Sequence, residues 1–203
     1  MPAPAWVTEI GVSGTLLIAI TAIWGEWIRS KFFRPSLDVE LLSQTGEKIP
    51  LNLDGRQVPG RFFHLRVRNR KRPFPVAHSV QVVIAKVQSP DVSGQPMTDF
   101  AGMVPVSWRH PQVHPLNLDI GPERHADLFY ISADGELVFT PLIVVTNFPL
   151  RHKGNVHVWV TAIARGTECD SEPITLEIQW DGQFPVADSD VARHLRITPV
   201  RSN

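Results

Sequence analysis

Five of the seven residues from position 66 to position 72 are basic. They are Arg66, Arg68, Arg70, Lys71 and Arg72. Guanidinium and ammonium groups at this density are suited to binding phosphate, either on nucleic acid or on anionic lipid headgroups. A third interpretation is a solvated loop between two strands, because Arg66 and Arg68 alternate with Leu65 and Val67 as on the outer face of a strand.

The residues around this basic patch favour the loop. Pro73 and Pro75 hold the segment in an extended or turned conformation. Aromatic residues that could stack on bases are few, namely Phe62, Phe63 and Phe74. We therefore predict a solvated hairpin loop first, a membrane-surface contact second, and a nucleic-acid site third.

Two histidines lie four residues apart in WRHPQVHP. In a helix, the spacing of His110 and His114 would place both imidazoles on one face, as in some zinc sites. Pro111 and Pro115 argue against a helix, and no HExxH motif or neighbouring set of thiols accompanies the pair. We expect a proline-rich loop and predict no metal site.

The sequence carries no recognisable catalytic motif. Cys169 is the only cysteine, and a nucleophilic thiol would need a nearby histidine and a lowered pKa, neither of which the sequence indicates. Asp119 in LDIGP and Asp181 in WDG are typical of turns, where the carboxylate accepts backbone N–H groups. P-loop, GxGxxG, GxSxG and CxxC signatures are absent. We predict no enzyme and no cofactor; an enzyme with a site assembled from scattered residues is the alternative.

Composition limits the class of protein. The chain has 203 residues, with 20 Lys and Arg against 20 Asp and Glu. Nucleic-acid-binding proteins usually have a clear basic excess, so this balance disfavours them. A single cysteine excludes a disulfide within the chain and fits a reducing compartment.

The first 34 residues have the pattern of a membrane anchor. No charged residue occurs from Ile10 to Gly25. A helix from Trp6 to Trp27 would span about 31 Å at roughly 1.5 Å per residue, close to the thickness of the hydrocarbon core. We predict a single transmembrane helix; a buried core helix and a cleaved signal peptide are the alternatives. The predicted membrane-interface anchors are Trp6, Trp24, Trp27, Arg29 and Lys31.

Basic residues lie after the apolar segment and not before it. Arg29, Lys31 and Arg34 follow it, and the positive-inside rule then places the N-terminus outside and the following domain in the cytoplasm. The predicted location is a bacterial inner membrane, with a periplasmic domain as the alternative. Small residues on one stripe of the predicted helix also allow weak self-association; a monomeric anchor is the alternative and is slightly preferred. That stripe consists of Gly11, Gly14, Ile18, Ala22 and Gly25.

The chain after Pro35 shows period-two alternation and no helical periodicity. Predicted strands lie in LDVELLS, FHLRVRN, HSVQVVIAKV, HADLFYIS, NVHVWVTAIA and ITLEIQW, and ELVFTPLIVV is predicted as two short strands or an edge strand because of Pro141. The predicted core includes Val67, Val82, Val158, Ile178 and Trp180. We predict an antiparallel immunoglobulin-like β-sandwich over residues 35–187, followed by a C-terminal tail at 188–203; a β-barrel is the second choice.

Three segments in this order carry a resemblance. FFHLRVRNRKRPFPVAHSVQVVI, PLNLDIGPERHADLFYI and VHVWVTAIARGTECDSEPITLEIQWDG resemble a loose group of uncharacterised bacterial proteins that pair a transmembrane helix with an immunoglobulin-like sandwich. The resemblance covers most of Arg61 to Gly182 and implies a fold but no catalytic residues.

Together these features predict a membrane-anchored, non-enzymatic module that binds a protein partner. The lipid bilayer is the second partner, through the N-terminal helix. A periplasmic or surface ligand-binding domain is the alternative function.

Overall fold

A computed structural model describes residues 24–25, 34–53, 55–70, 76–109 and 117–200. Twelve β-strands in these residues form two antiparallel sheets, and a 3-10 turn and a four-residue helix lie near the C-terminal end. The strands are numbered β1 to β12 in chain order. The protein is therefore mainly β, which confirms the class predicted from the alternation.

The first sheet has the order β1-β3-β7-β8-β9, with β2 also paired to β3. Its strands are β1 (Leu37–Leu41), β2 (Glu47–Leu53), β3 (Arg56–Asn69), β7 (Glu123–Ser132), β8 (Glu136–Phe139) and β9 (Arg151–Lys153). The long strand β3 pairs with β1 at one end and with β2 at the other.

The second sheet has the order β12-β11-β10-β4-β5, with β6 also paired to β4. Its strands are β4 (Ala77–Pro90), β5 (Pro96–Pro105), β6 (Leu118–Ile120), β10 (Val156–Arg165), β11 (Ile174–Trp180) and β12 (Leu195–Val200). The helix Val191–His194 leads directly into β12.

Both sheets contribute to one hydrophobic core, because alternate residues of each strand face inward. The five predicted core residues are all buried: Val67, Val82, Val158, Ile178 and Trp180. Trp180 is 1% exposed, and its indole Nε1–H donates a hydrogen bond of 2.9 Å to the carbonyl oxygen of Gln183. The buried aromatic ring thus keeps a partner for its one polar group.

The connection from β3 to β4 crosses from one sheet to the other. β3 pairs with β1, β2 and β7, whereas β4 pairs with β5, β6 and β10, so the two strands are not paired with each other. The prediction that the basic loop is the tip of a β-hairpin is therefore wrong, although Arg66 and Arg68 do lie on the partly exposed face of β3.

Residues 106–109 join the sheets at one corner. The Val106 N–H donates to the carbonyl of Val82 in the second sheet, at 3.0 Å. Three residues later, the Arg109 N–H donates to the carbonyl of His125 in the first sheet, at 2.9 Å. The side chain of Trp108 between them is buried. A chain that switches sheets in this way forms a corner in packed β-structures.

Four regions differ from the predicted elements. β8 ends at Phe139, and residues 142–147 lie outside any strand, so ELVFTPLIVV contains one strand and an exposed apolar loop. The pattern also did not indicate β2, which contains Pro50, or β5, which is exposed over most of its length. Residues 188–200, assigned to a tail from the sequence, contain the 3-10 turn, the short helix and β12.

The predicted anchor lies outside the described residues, except for Trp24 and Gly25, which are helical. Its interface residues Trp6, Trp27, Arg29 and Lys31 are likewise outside. In the part of the chain that the structure describes, no helix has the length and apolar character needed to cross a bilayer.

Candidate interaction surface

The described arginines of the basic patch are paired with carboxylates of the neighbouring strand β1. Arg66 Nε donates to Glu40 Oε1 at 2.8 Å, and the guanidinium of Arg68 contacts the same oxygen. Arg70 Nη2 lies 2.8 Å from Asp38 Oδ2. In the strand register Glu40 lies directly opposite Arg66, whereas the contacts of Glu40 with Arg68 and of Asp38 with Arg70 are diagonal pairs. Much of this positive charge is thus balanced locally; Lys71 and Arg72 lie outside the described residues.

The basic loop begins beside the point where the chain enters the domain. The Arg70 N–H donates to the carbonyl of Ser36 at 2.8 Å. Leu37, the first residue of β1, pairs with Asn69, the last residue of β3. The residues that follow Arg34 and the start of the basic loop therefore share one end of the molecule.

A buried imidazole, which sequence analysis did not single out as a site, links three strands of the first sheet. His64 is 4% exposed, and its Nδ1 lies 2.8 Å from Asp127 Oδ1. Its Nε2 lies 3.3 Å from Glu47 Oε2, which also contacts Arg109. The second contact has ion-pair distance but not hydrogen-bond geometry. Because each ring nitrogen faces a carboxylate, His64 joins β2, β3 and β7 and presents no exposed base.

Burial shifts the pKa values of two other histidines and of the single thiol. Desolvation lowers the pKa of His125 and of His152, so both favour the neutral form. Desolvation also raises the pKa of the Cys169 thiol, and the carboxylates of Glu168 and Asp170 act in the same direction. A raised thiol pKa opposes a nucleophilic role.

The two aspartates predicted in turns accept backbone N–H groups. Asp119 Oδ1 accepts from the N–H of Ser79 at 2.9 Å, where Ser79 has a positive φ of 51°. Asp181 Oδ1 accepts from the N–H of Gln183 at 2.9 Å. Each carboxylate also pairs with a histidine, His78 and His194 respectively. The turn-forming role is confirmed for Asp181, whereas Asp119 accepts from a residue 40 positions earlier and links β6 to β4.

Among the residues that the structure describes, no three His, Cys, Asp or Glu side chains are grouped closely enough to hold a metal ion. The pair His110 and His114 lies outside those residues. The loop prediction for WRHPQVHP therefore stays a prediction.

Exposed apolar side chains gather at β5 and at the loop after β8. We call the following residues the apolar patch: Met97, Met103, Ile143, Val144 and Val145. Their exposed fractions run from 40% for Val145 to 69% for Val144.

The two segments of the patch are adjacent. The N–H of Leu142 donates to the carbonyl of Pro105 at 2.7 Å, which places the loop at the end of β5. The rings of Phe100 and Phe148 meet edge to face with centroids 5.2 Å apart. Sequence analysis assigned no functional role to these residues, because an apolar run such as Leu142–Val145 is typical of a buried strand.

β5 is the last strand of its sheet, but its shape hinders the addition of another strand. The pairing with β4 shifts at two places, and β5 carries the extra residue at both. Pro96 and Pro105 stand at its two ends. Bulges and prolines are the devices that protect sheet edges from further pairing. The edge of β5 is therefore poorly suited to pairing with a further strand.

Comparison of the chain with protein-family models, with curated protein sequences and with solved structures finds no match. The observed class is that of a mainly β protein with two antiparallel sheets around one core.

Proposed function

We propose that this protein is a membrane-anchored, non-enzymatic module that binds a protein partner. The apolar patch carries the proposal, since contiguous exposed apolar side chains on a folded domain mark interaction sites. Met97 and Met103 are 54% and 59% exposed. Methionine side chains adapt their shape to a partner, which suits a recognition surface.

The partner we propose has a complementary apolar surface and docks by side-chain packing. From Pro96 to Pro105, the only charged residue of β5 is Asp99. Arg165 borders the patch, with its Nη1 at 2.8 Å from Met103 Sδ, and the remaining surface gains affinity chiefly from the apolar area removed from water. Binding by an added strand is disfavoured because β5 is bulged and bounded by proline.

We further propose that residues 10–25 anchor the domain in a bacterial inner membrane, with the N-terminus outside and the domain in the cytoplasm. The charge-free run of the sequence and the basic residues after it support this proposal. The position of Arg70 beside Ser36 adds support for a membrane-facing basic loop, because it places the start of that loop where the anchor would join the domain.

A variant of the immunoglobulin-like sandwich is the fold we propose within the mainly β class. The order β11-β10-β4-β5 of the second sheet corresponds to the G-F-C-C′ order of that fold. The first sheet departs from the immunoglobulin order. In this chain β7, which lies beside β3, comes before its outer neighbour β8. In the immunoglobulin fold the corresponding outer strand comes before the inner one in the chain.

Site-specific photocrosslinking in native membranes tests the protein-binding function. A photoreactive residue at Met103 in the full chain should give one discrete protein adduct, and Ile143→Asp should abolish it. The matched control places the same residue at Arg196, which is exposed on β12 in the same sheet and should give none. Equal adducts from both positions, or an adduct insensitive to Ile143→Asp, would contradict the proposal.

A further inference from the structure

An apolar cavity of about 570 Å³, open to solvent on one side, lies away from the apolar patch, between the β2–β3 pair and the segment after β11. Its volume falls within the range of small-molecule sites. Apolar residues dominate the lining, which includes Ile49, Pro50, Val58, Pro59, Phe184 and Val186, while Lys48 and Gln57 contribute polar groups. Val186 is 77% exposed, so an apolar ligand in the cavity would cover a side chain that now faces water.

A buried arginine holds the two walls of this cavity together. Arg61 Nε donates to the carbonyl of Pro185 at 3.1 Å, and its Nη1 donates to the carbonyl of Thr45 at 3.0 Å. Its Nη2 lies 2.8 Å from Asp188 Oδ1. The wall that contains Phe184 and Val186 is therefore fixed against β3, and the cavity is formed before any ligand enters. A preformed cavity avoids the ordering cost that weakens binding to mobile segments.

Lys48 supplies a cation that can be released to a ligand. Its Nζ lies 3.3 Å from Asp188 Oδ1, and about half of its side chain is exposed. Asp188 is also bound by Arg61 at the shorter distance of 2.8 Å, so this carboxylate keeps a partner when Lys48 turns away. A surface pair of this kind contributes little energy, and an anionic ligand can replace Asp188 at small cost.

We propose that the cavity binds an amphipathic acid, that is, an apolar chain or ring with one carboxylate. The apolar part lies against Val58, Phe184 and Val186, and the carboxylate pairs with Lys48. Free fatty acids and the hydrolysed lipids of a neighbouring bilayer share this chemistry. The inference is independent of the protein-binding function, because the apolar patch contributes no residue to the cavity.

The test uses the full chain in lipid nanodiscs and two photoreactive probes. The probes are decanoate and decanol, each with a diazirine at the end of the chain, and adducts are mapped by peptide mass spectrometry. Saturable decanoate labelling of the peptides that contain Val58 or Phe184 is expected. Nanodiscs in which the diazirine is carried by the lipid acyl chain distinguish a bilayer source from the free acid.

Three variants separate the charge from the cavity. Lys48→Met should lower decanoate labelling about three- to fivefold and leave decanol labelling unchanged. Ala133→Trp, at an exposed lining position, should suppress both probes by filling the cavity; Val186→Asp serves as a second variant because its side chain is exposed. Lys86→Met on the other sheet is the control and should change neither probe. Three outcomes would overturn the proposal. They are labelling that does not saturate, labelling that survives both cavity variants, and an equal fall for both probes in Lys48→Met.

Discussion

The guanidinium of Arg61 is fully buried and bonds to parts of the chain that are more than 100 residues apart. Its partners include the carbonyl of Thr45 near β2 and the carbonyl of Pro185 after β11. A buried charge is tolerated only when its donors are satisfied, and here an aspartate and three carbonyl groups satisfy them. One side chain thus fastens the C-terminal segment to the first sheet.

Replacing Arg61 should destabilise the fold strongly. Arg61→Met would leave buried carbonyl groups without a donor, and we expect the free energy of unfolding to fall by about 3–5 kcal/mol. Arg61→Lys should not restore it, because an ammonium cannot reproduce the planar fork of donors. Urea denaturation of both variants measures the loss. Arg66→Met is the matched control on the same strand, where a loss below about 1 kcal/mol is expected; similar losses at the two positions would contradict the assigned role.

His152 makes the stability of the fold depend on pH. Desolvation lowers its pKa, and the Asp99 carboxylate opposes this shift only in part. The unfolded chain therefore binds more protons than the folded one below about pH 6.5, so stability is lost as the pH falls through that range.

His152→Phe should reduce the loss of stability on acidification. The phenyl ring is suited to the site because the imidazole already packs edge-on against Phe139, at 5.9 Å between centroids. Urea midpoints at about pH 7.5 and about pH 5.5 measure the effect. His125 shifts in the same direction, so part of the dependence should persist. An unchanged dependence in His152→Phe would refute the assignment.

At the scale of elements, β12 completes the second sheet although it lies at the end of the chain. Six of its residues pair with β11, and Leu195 faces Trp180 in the register. Leu195 and Ile197 are buried, whereas Arg196 between them is exposed. The strand therefore covers one end of the core by the same alternation that operates in β11.

Adjacent substitutions in β12 should have very different effects. Ile197→Asp would place a charge in the core, and we expect a loss of about 3 kcal/mol or more in the free energy of unfolding. Arg196→Asp should change it by less than about 0.5 kcal/mol. Thermal and urea denaturation of the two variants give the comparison. Equal stability of both variants would mean that β12 is dispensable.

At the scale of the whole molecule, the core that the structure describes consists of residues after Pro35. Core residues run from Leu37 to Ile197 and belong to both sheets. We therefore expect a chain that begins at Pro35 to form a soluble, folded, β-rich domain. Fractionation and circular dichroism measure this. Recovery of the truncated chain in the membrane fraction, or failure to fold, would contradict the two-part organisation.

The proposed orientation can be measured with a thiol reagent that does not cross membranes. Ser93→Cys places an exposed thiol in the turn between β4 and β5, in a Cys169→Ala background. Labelling of spheroplasts only after lysis is expected for a cytoplasmic domain. Strong labelling before lysis would establish a periplasmic domain instead. The native Cys169 alone should react slowly in lysates, because burial raises its pKa and lowers the thiolate fraction.

The sequence by itself determined the β class and much of the core. Alternation in a strand is a local property, since successive side chains point to opposite faces. For this reason Val67, Val158 and Trp180 could be placed inside, and Arg66 outside, before any strand was paired. The turn role of Asp181 was also local, because its carboxylate accepts from the N–H two residues further along the chain. The bond from Ser79 to Asp119 joins residues 40 positions apart and was not local.

Only the tertiary structure decided which strands are neighbours and what their side chains meet. Nothing local distinguishes Arg61, which is buried, from Arg66, which pairs with Glu40 on β1. The apolar loop at Ile143–Val145 has the composition of a buried strand, yet it is exposed and lies beside the end of β5. The cavity beside Val58 likewise arises where segments distant in sequence meet. Such features depend on long-range pairing, whose outcome is set by the burial of the whole core and not by the pattern of any one segment.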